Sequence, residues 1–146
     1  MAVKVRAFAE FTADFPDDTI WPEDPDEEPL LLGGKALAEC IAEKLQHLGY
    51  EVETPEHSPP YGWRFDAAAG RGLVTMQITD MDDSYTLIGI ERTPAFTRLF
   101  DRHASILAQL LKRLHPELVA DGRFHNIRWY DGYRRNSGSA DEPVSE

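Results

Sequence analysis

The side chains able to do chemistry in this sequence are mostly carboxylates, and they are unevenly placed. Between Asp14 and Glu28 stand eight acids (Asp14, Asp17, Asp18, Glu23, Asp24, Asp26, Glu27 and Glu28) and no base. A run of this kind can dock on a basic protein surface and steer its approach, an interaction that salt weakens. Paired carboxylates also suit Ca2+ or Mg2+, but the spacing lacks the glycine and the terminal glutamate of an EF-hand loop. The choice is therefore between a partner-docking arm and a solvated loop.

Other groups carry weaker signals. Gly33-Gly34-Lys35 sits where a helix starts, a position that favours anions. A phosphate-binding loop would need a longer glycine spacing and a Ser or Thr after the lysine, whereas Ala36 follows it. Glu39, Glu43 and His47 share one helical face, but no second ligand cluster accompanies them, so no metal site is expected. Nothing in the local sequence activates Cys40 as a nucleophile. Asp80, Asp82 and Asp83 fall in a short connection, where aspartate commonly bonds nearby backbone N–H groups. His103 lies on the apolar face of a long amphipathic stretch, with no nucleophile and carboxylate in a recognisable arrangement around it. His115, near the end of that stretch, suits the negative end of a helix dipole. No catalytic residue and no cofactor are assigned.

Aromatic and basic residues cluster in two places. Tyr61, Trp63 and Arg64 open one apolar run. Arg128, Trp129, Tyr130, Tyr133, Arg134 and Arg135 close another. Such residues dominate binding hot spots. If the two runs adjoin, Trp63, Arg64, His103, Arg128, Trp129 and Tyr130 form a candidate ligand patch, for an anionic or planar molecule or for the acidic stretch itself. Otherwise the tryptophans are core residues and the arginines are solvated.

The elements that must position these groups follow from periodicity. Val3 to Phe11 alternates as a half-buried strand. Prolines 16, 22, 25 and 29 forbid a regular element through the acidic stretch, which reads as a loop at about 12–32, its middle pinned by Ile20 and Trp21. Leu37, Ala38, Ile41, Leu45 and Leu48 mark a helix over about 34–48, closed by Gly49. A short strand over 50–54 precedes three longer ones, near 61–69, 72–80 and 85–92, that read as an antiparallel meander. Thr93 and Pro94 open a second helix whose stripe runs from Phe96 to Leu114, and Pro116 ends it or begins a short turn. Residues 124–130 form a last strand.

The expected class is α+β. About five mostly antiparallel strands carry two main helices on one face, as a two-layer sandwich. Residues 1–135 form a single domain, and 136–146 form a disordered polar tail.

Composition narrows the function. The net charge is −11. Residues 1–60 hold fourteen acids and four bases, whereas residues 61–146 are almost balanced. This excess disfavours nucleic acid, whose phosphates need cationic partners. No apolar run approaches the ~20 residues of a membrane helix. One cysteine and no secretory signal point to the cytoplasm. The expectation is a small acidic protein-interaction module with a basic protein partner. It is of the kind seen among bacterial immunity and inhibitor proteins, an analogy of type rather than a family match. A small-molecule-binding protein or enzyme with a pocket between sheet and helices is the alternative. Ile88 and Ile90 on an open sheet face would offer a surface for a homodimer.

Overall fold

The computed structural model describes residues 4–24, 26–70, 72–92, 105–131 and 139–145. Ten strands and two helices occur among them. β1 is Lys4–Val5, β2 Phe8–Ala13, β3 Glu51–Val52, β4 Glu56–Ser58 and β5 Gly62–Ala69. β6 is Gly72–Asp80, β7 Tyr85–Glu91, β8 Phe124–Tyr130, β9 Ser139–Ala140 and β10 Val144–Ser145. α1 is Lys35–His47 and α2 is Ile106–Ala120.

Eight strands form one sheet in the order β3-β5-β6-β7-β2-β8-β9, with β4 also on β5, and β1 pairs with β10 apart from it. Every described pairing is antiparallel. The α+β class and the antiparallel meander β5-β6-β7 agree with the periodicity. The strand count does not: the main sheet has eight strands rather than about five. β3, β4 and β9 are two or three residues long, too short to show an alternation. With these short strands along its edges, the sheet is not simply a two-layer sandwich.

The register explains the core. Trp63, Ile78, Leu87, Ala9 and Trp129 stand side by side across five strands, and all are buried. Phe65, Met76, Ala67 and Val74 extend this face. α1 places Leu37, Ala38, Ile41, Ala42 and Leu45 against it, and α2 adds Leu110, Leu111, Leu114 and Leu118. Each such leucine contributes roughly 2 kcal/mol through burial. Gly89 belongs to the same packing, since a Cβ there would come within 2.7 Å of the Leu107 side chain.

Three local expectations change. The opening strand is two strands, because the chain leaves the alternation at Arg6 and Ala7 and β1 turns to pair with β10. Ser105 caps α2, its hydroxyl accepting from the Ala108 N–H, while the Glu91 carboxylate accepts from the Leu107 N–H. Thr93, Pro94, Phe96 and Leu99 lie outside the described residues. Pro116 sits inside α2 rather than ending it. Where composition suggests a disordered tail, residues 139–145 include β9 and β10, and Pro143 is buried.

Candidate functional site

The acidic loop connects β2 to α1 and meets the β6–β7 hairpin at one end of the sheet. Its chain is fixed at several points. The Asp14 N–H donates to the Arg123 carbonyl, and Ile20 forms an antiparallel bridge with Leu31. The Leu32 N–H donates to His57 Nε2 at 2.9 Å, and Trp63 Nε1 donates to the Leu32 carbonyl at 2.8 Å. These bonds hold the loop, rather than burial of Ile20 and Trp21, which are 47% and 56% exposed.

The eight acids of this loop separate into different roles. Asp18 accepts from the N–H groups of Gly34 and Ala36, both at 2.8 Å. The residue that opens α1 is Gly34, which has no side chain to offer, so a carboxylate sixteen residues earlier caps the helix. Asp14 pairs with His125 Nε2 at 2.8 Å. Asp24 accepts from the Asp26 N–H inside a turn. Glu23, Asp24, Asp26, Glu27 and Glu28 are exposed. Asp17 accepts from the Thr19 N–H, and hydrogen bonding to Thr19 lowers its pKa.

Asp17 also lines a cleft with Asp80, Asp82, Asp83 and Tyr85, about 250 Å³ in volume. The sequence alone places Asp80, Asp82 and Asp83 in a connection; Asp80 is the last residue of β6, and Asp82 and Asp83 follow it. The Asp82 N–H does donate to Asp80 Oδ1 at 2.9 Å. What periodicity did not reveal is that the acidic loop folds onto the same hairpin. Burial pushes the Asp80 carboxyl up from its ordinary value, and the negative charges of Asp82, Asp17 and Asp18 push the same way. Burial also raises the Tyr85 phenol, and the charges of Asp80, Asp18 and Asp17 push the same way.

A second, smaller cleft adjoins this one through Asp80 and Asp82. Trp21 and Tyr61 line it, with Pro29, Leu32 and Gly62. Gly62 is required there: its φ is +129, and a Cβ would collide with the Ile78 carbonyl. Gly33 lies against the side-chain ends of Asp80 and Thr19. Exposed aromatic side chains beside carboxylates suit cationic groups, because the ring face is electronegative. Among the described residues, no three of the His, Cys, Asp and Glu side chains are grouped as metal ligands would be.

The aromatic-basic patch does not assemble. β5 and β8 are separated by β6, β7 and β2, about 19 Å at ordinary strand spacing. Trp63 and Trp129 both point into the core, 4% and 0% exposed. Trp129 Nε1 donates to His115 Nδ1 at 3.0 Å. Burial lowers the His115 pKa, so this histidine serves as a neutral acceptor rather than a positive charge at a helix end. Arg64 shares the opposite face with Tyr130 and lines a separate polar cleft with Asp66, Thr75 and Arg92. Arg128 is held by Ser139 and Asp141. Tyr130 packs edge-on against Phe8. His103, Tyr133, Arg134 and Arg135 lie outside the described residues.

Two other candidates have structural surroundings. Glu39, Glu43 and His47 are exposed on α1. Cys40 Sγ lies 3.3 Å from an Arg123 guanidinium nitrogen, yet burial holds its thiol pKa up. A raised thiol pKa means less thiolate, the reverse of what a nucleophile needs. No protein-family model, curated protein or solved structure matches the chain.

Proposed function

We propose that this protein is a protein-interaction module that binds a basic partner through the end of its sheet. One observation carries this reading: Asp17, from the acidic loop, and Asp80, Asp82 and Asp83, from a hairpin over sixty residues later, line one cleft. Grouped like charges cost stability unless a cation approaches. A Lys- or Arg-bearing surface would relieve that repulsion and gain charge-assisted hydrogen bonds. The exposed Trp21, Tyr61 and Met81 at the same end add the apolar area typical of hot spots.

Steering by this field raises the association rate, and salt screens it. The test is fluorescence anisotropy with a labelled twelve-residue peptide of alternating Arg, Lys and Gly. Affinity should fall steeply between 50 and 300 mM NaCl. A glutamate-containing peptide of the same length should not bind. Equal affinity at both salt concentrations would contradict the proposal.

A further inference from the structure

The smaller cleft says more about the group that enters it, on the reading that the partner is basic. Its volume is about 120 Å³, well below the ~300 Å³ at which small-molecule pockets begin. It has room for one side-chain head group. Trp21 and Tyr61, from the acidic loop and from the segment before β5, are 56% and 58% exposed and line the cleft. Asp80 and Asp82 border it too and share it with the larger anionic cleft. Gly33 and Gly62 line it as well, and at Gly62 an added Cβ would collide with the Ile78 carbonyl. The Leu32 bonds to His57 and Trp63 hold the loop's return limb in place. The cleft is therefore formed before anything binds.

An ammonium and a guanidinium differ in how they fit such a place. An ammonium is compact and strongly hydrated. A guanidinium is planar and weakly hydrated, stacks on aromatic rings, and presents a fork of donors to carboxylates. Aromatic walls with carboxylates at one side match the second. We infer that this cleft receives a single arginine side chain of the partner, its plane against Trp21 or Tyr61 and its N–H groups toward Asp80 and Asp82.

Three capped peptides, Gly-Ser-X-Ser-Gly with X as arginine, lysine or citrulline, test this on the full chain by nitrogen-15 NMR. Trp21 is the exposed tryptophan, whereas Trp63 and Trp129 are buried and hydrogen-bonded. The Trp21 indole signal is therefore the one expected to move. The arginine peptide should bind roughly three- to fivefold more tightly than the lysine peptide, the size of an exposed cation–π contact. The citrulline peptide should not bind. Trp21→Ala should bring arginine down to the lysine level with the other amide signals in place, and Asp80→Asn should weaken both. If arginine and lysine bind equally and Trp21→Ala changes nothing, the arginine assignment is wrong while binding to basic partners stands. Binding of citrulline equal to arginine would also overturn it. If the longer basic peptide shows no salt-dependent binding either, both readings fail.

Discussion

Asp121 caps the end of α2 and Asp80 is the last residue of β6, and their surroundings push the two carboxylates in opposite directions. Asp121 Oδ2 accepts from Lys44 Nζ at 2.8 Å and from Arg123 Nη2 at 2.7 Å. Its other oxygen accepts from the Arg123 backbone and Nε. Those bonds hold its pKa well below the usual carboxylate range. Asp80 has burial and three neighbouring aspartates instead, and its pKa is raised. The first carboxylate ties the end of α2 to α1. Among the described residues the second has no such cationic partner, and in the proposed function a cation from a basic partner would offset its repulsion. Net charge alone does not separate an acid held by cations from one crowded by other acids; the local count of cations does.

Substitutions should make that difference measurable. Asp121→Asn should cost about 2 kcal/mol in denaturant unfolding, because Lys44 would lose its charge partner at a site where both side chains are less than one-fifth exposed. The figure stays below that of a fully buried pair because Arg123 is half exposed. Asp18→Ala should cost about 1 kcal/mol, the usual value of a helix cap. Asp18→Asn, which keeps one acceptor oxygen, should cost less. Asp80→Asn should do the reverse of Asp121→Asn, raising stability by about 0.5 kcal/mol while weakening basic-peptide binding. A large loss of stability in Asp80→Asn would erase the contrast.

Acidity should separate the regions further. The Asp121 pKa is lowered from 3.8, so its contribution is present above pH ~3.8 and is lost as pH falls below it. The Asp80 pKa is raised from the same value. Its effect has the opposite sign, favouring the fold at acid pH and fading as pH rises. The His115 pKa is lowered from 6.5. Its neutral form accepts from Trp129, so stability should be full above pH ~6.5 and decline as pH drops beneath it. Unfolding midpoints across pH 4.5–7.5 would show this slope, and His115→Gln should flatten it.

The smallest expected effect belongs to the outer part of the acidic loop. Glu23, Asp24, Asp26, Glu27 and Glu28 are exposed. Replacing all five by their amides should change stability by less than about 0.5 kcal/mol.

Much of the fold was legible in local pattern. The α1 stripe, Gly49 and the meander all follow from spacing within a few residues. The grouping of Trp63 and Arg64 with Trp129 and Tyr130 in one patch overlooks the strand alternation, which puts each tryptophan and its neighbour on opposite sides of the sheet. What was not legible depends on distant partners. Two-residue strands such as β9 acquire their conformation from β8, not from their own propensity. Asp18 reaches a helix sixteen residues on, and Asp17 reaches the hairpin. The acidic loop could be read as irregular, but not as folded onto a second acidic group. Tyr61 reads as the first residue of the strand near 61–69, whereas it precedes β5, and the cleft it lines with Trp21 exists only in three dimensions.

The most direct test compares two neutralised variants of equal fold in the same peptide-binding assay. One carries Asp17→Asn, Asp80→Asn, Asp82→Asn and Asp83→Asn. The other carries Glu23→Gln, Asp24→Asn, Asp26→Asn, Glu27→Gln and Glu28→Gln. The cleft variant should lose at least about tenfold in affinity for the Arg- and Lys-bearing peptide at 50 mM NaCl, whereas the outer-loop variant should lose less than about threefold, the screened contribution of exposed charges. Wild-type affinity in the cleft variant, with the loss confined to the outer-loop variant, would contradict the account.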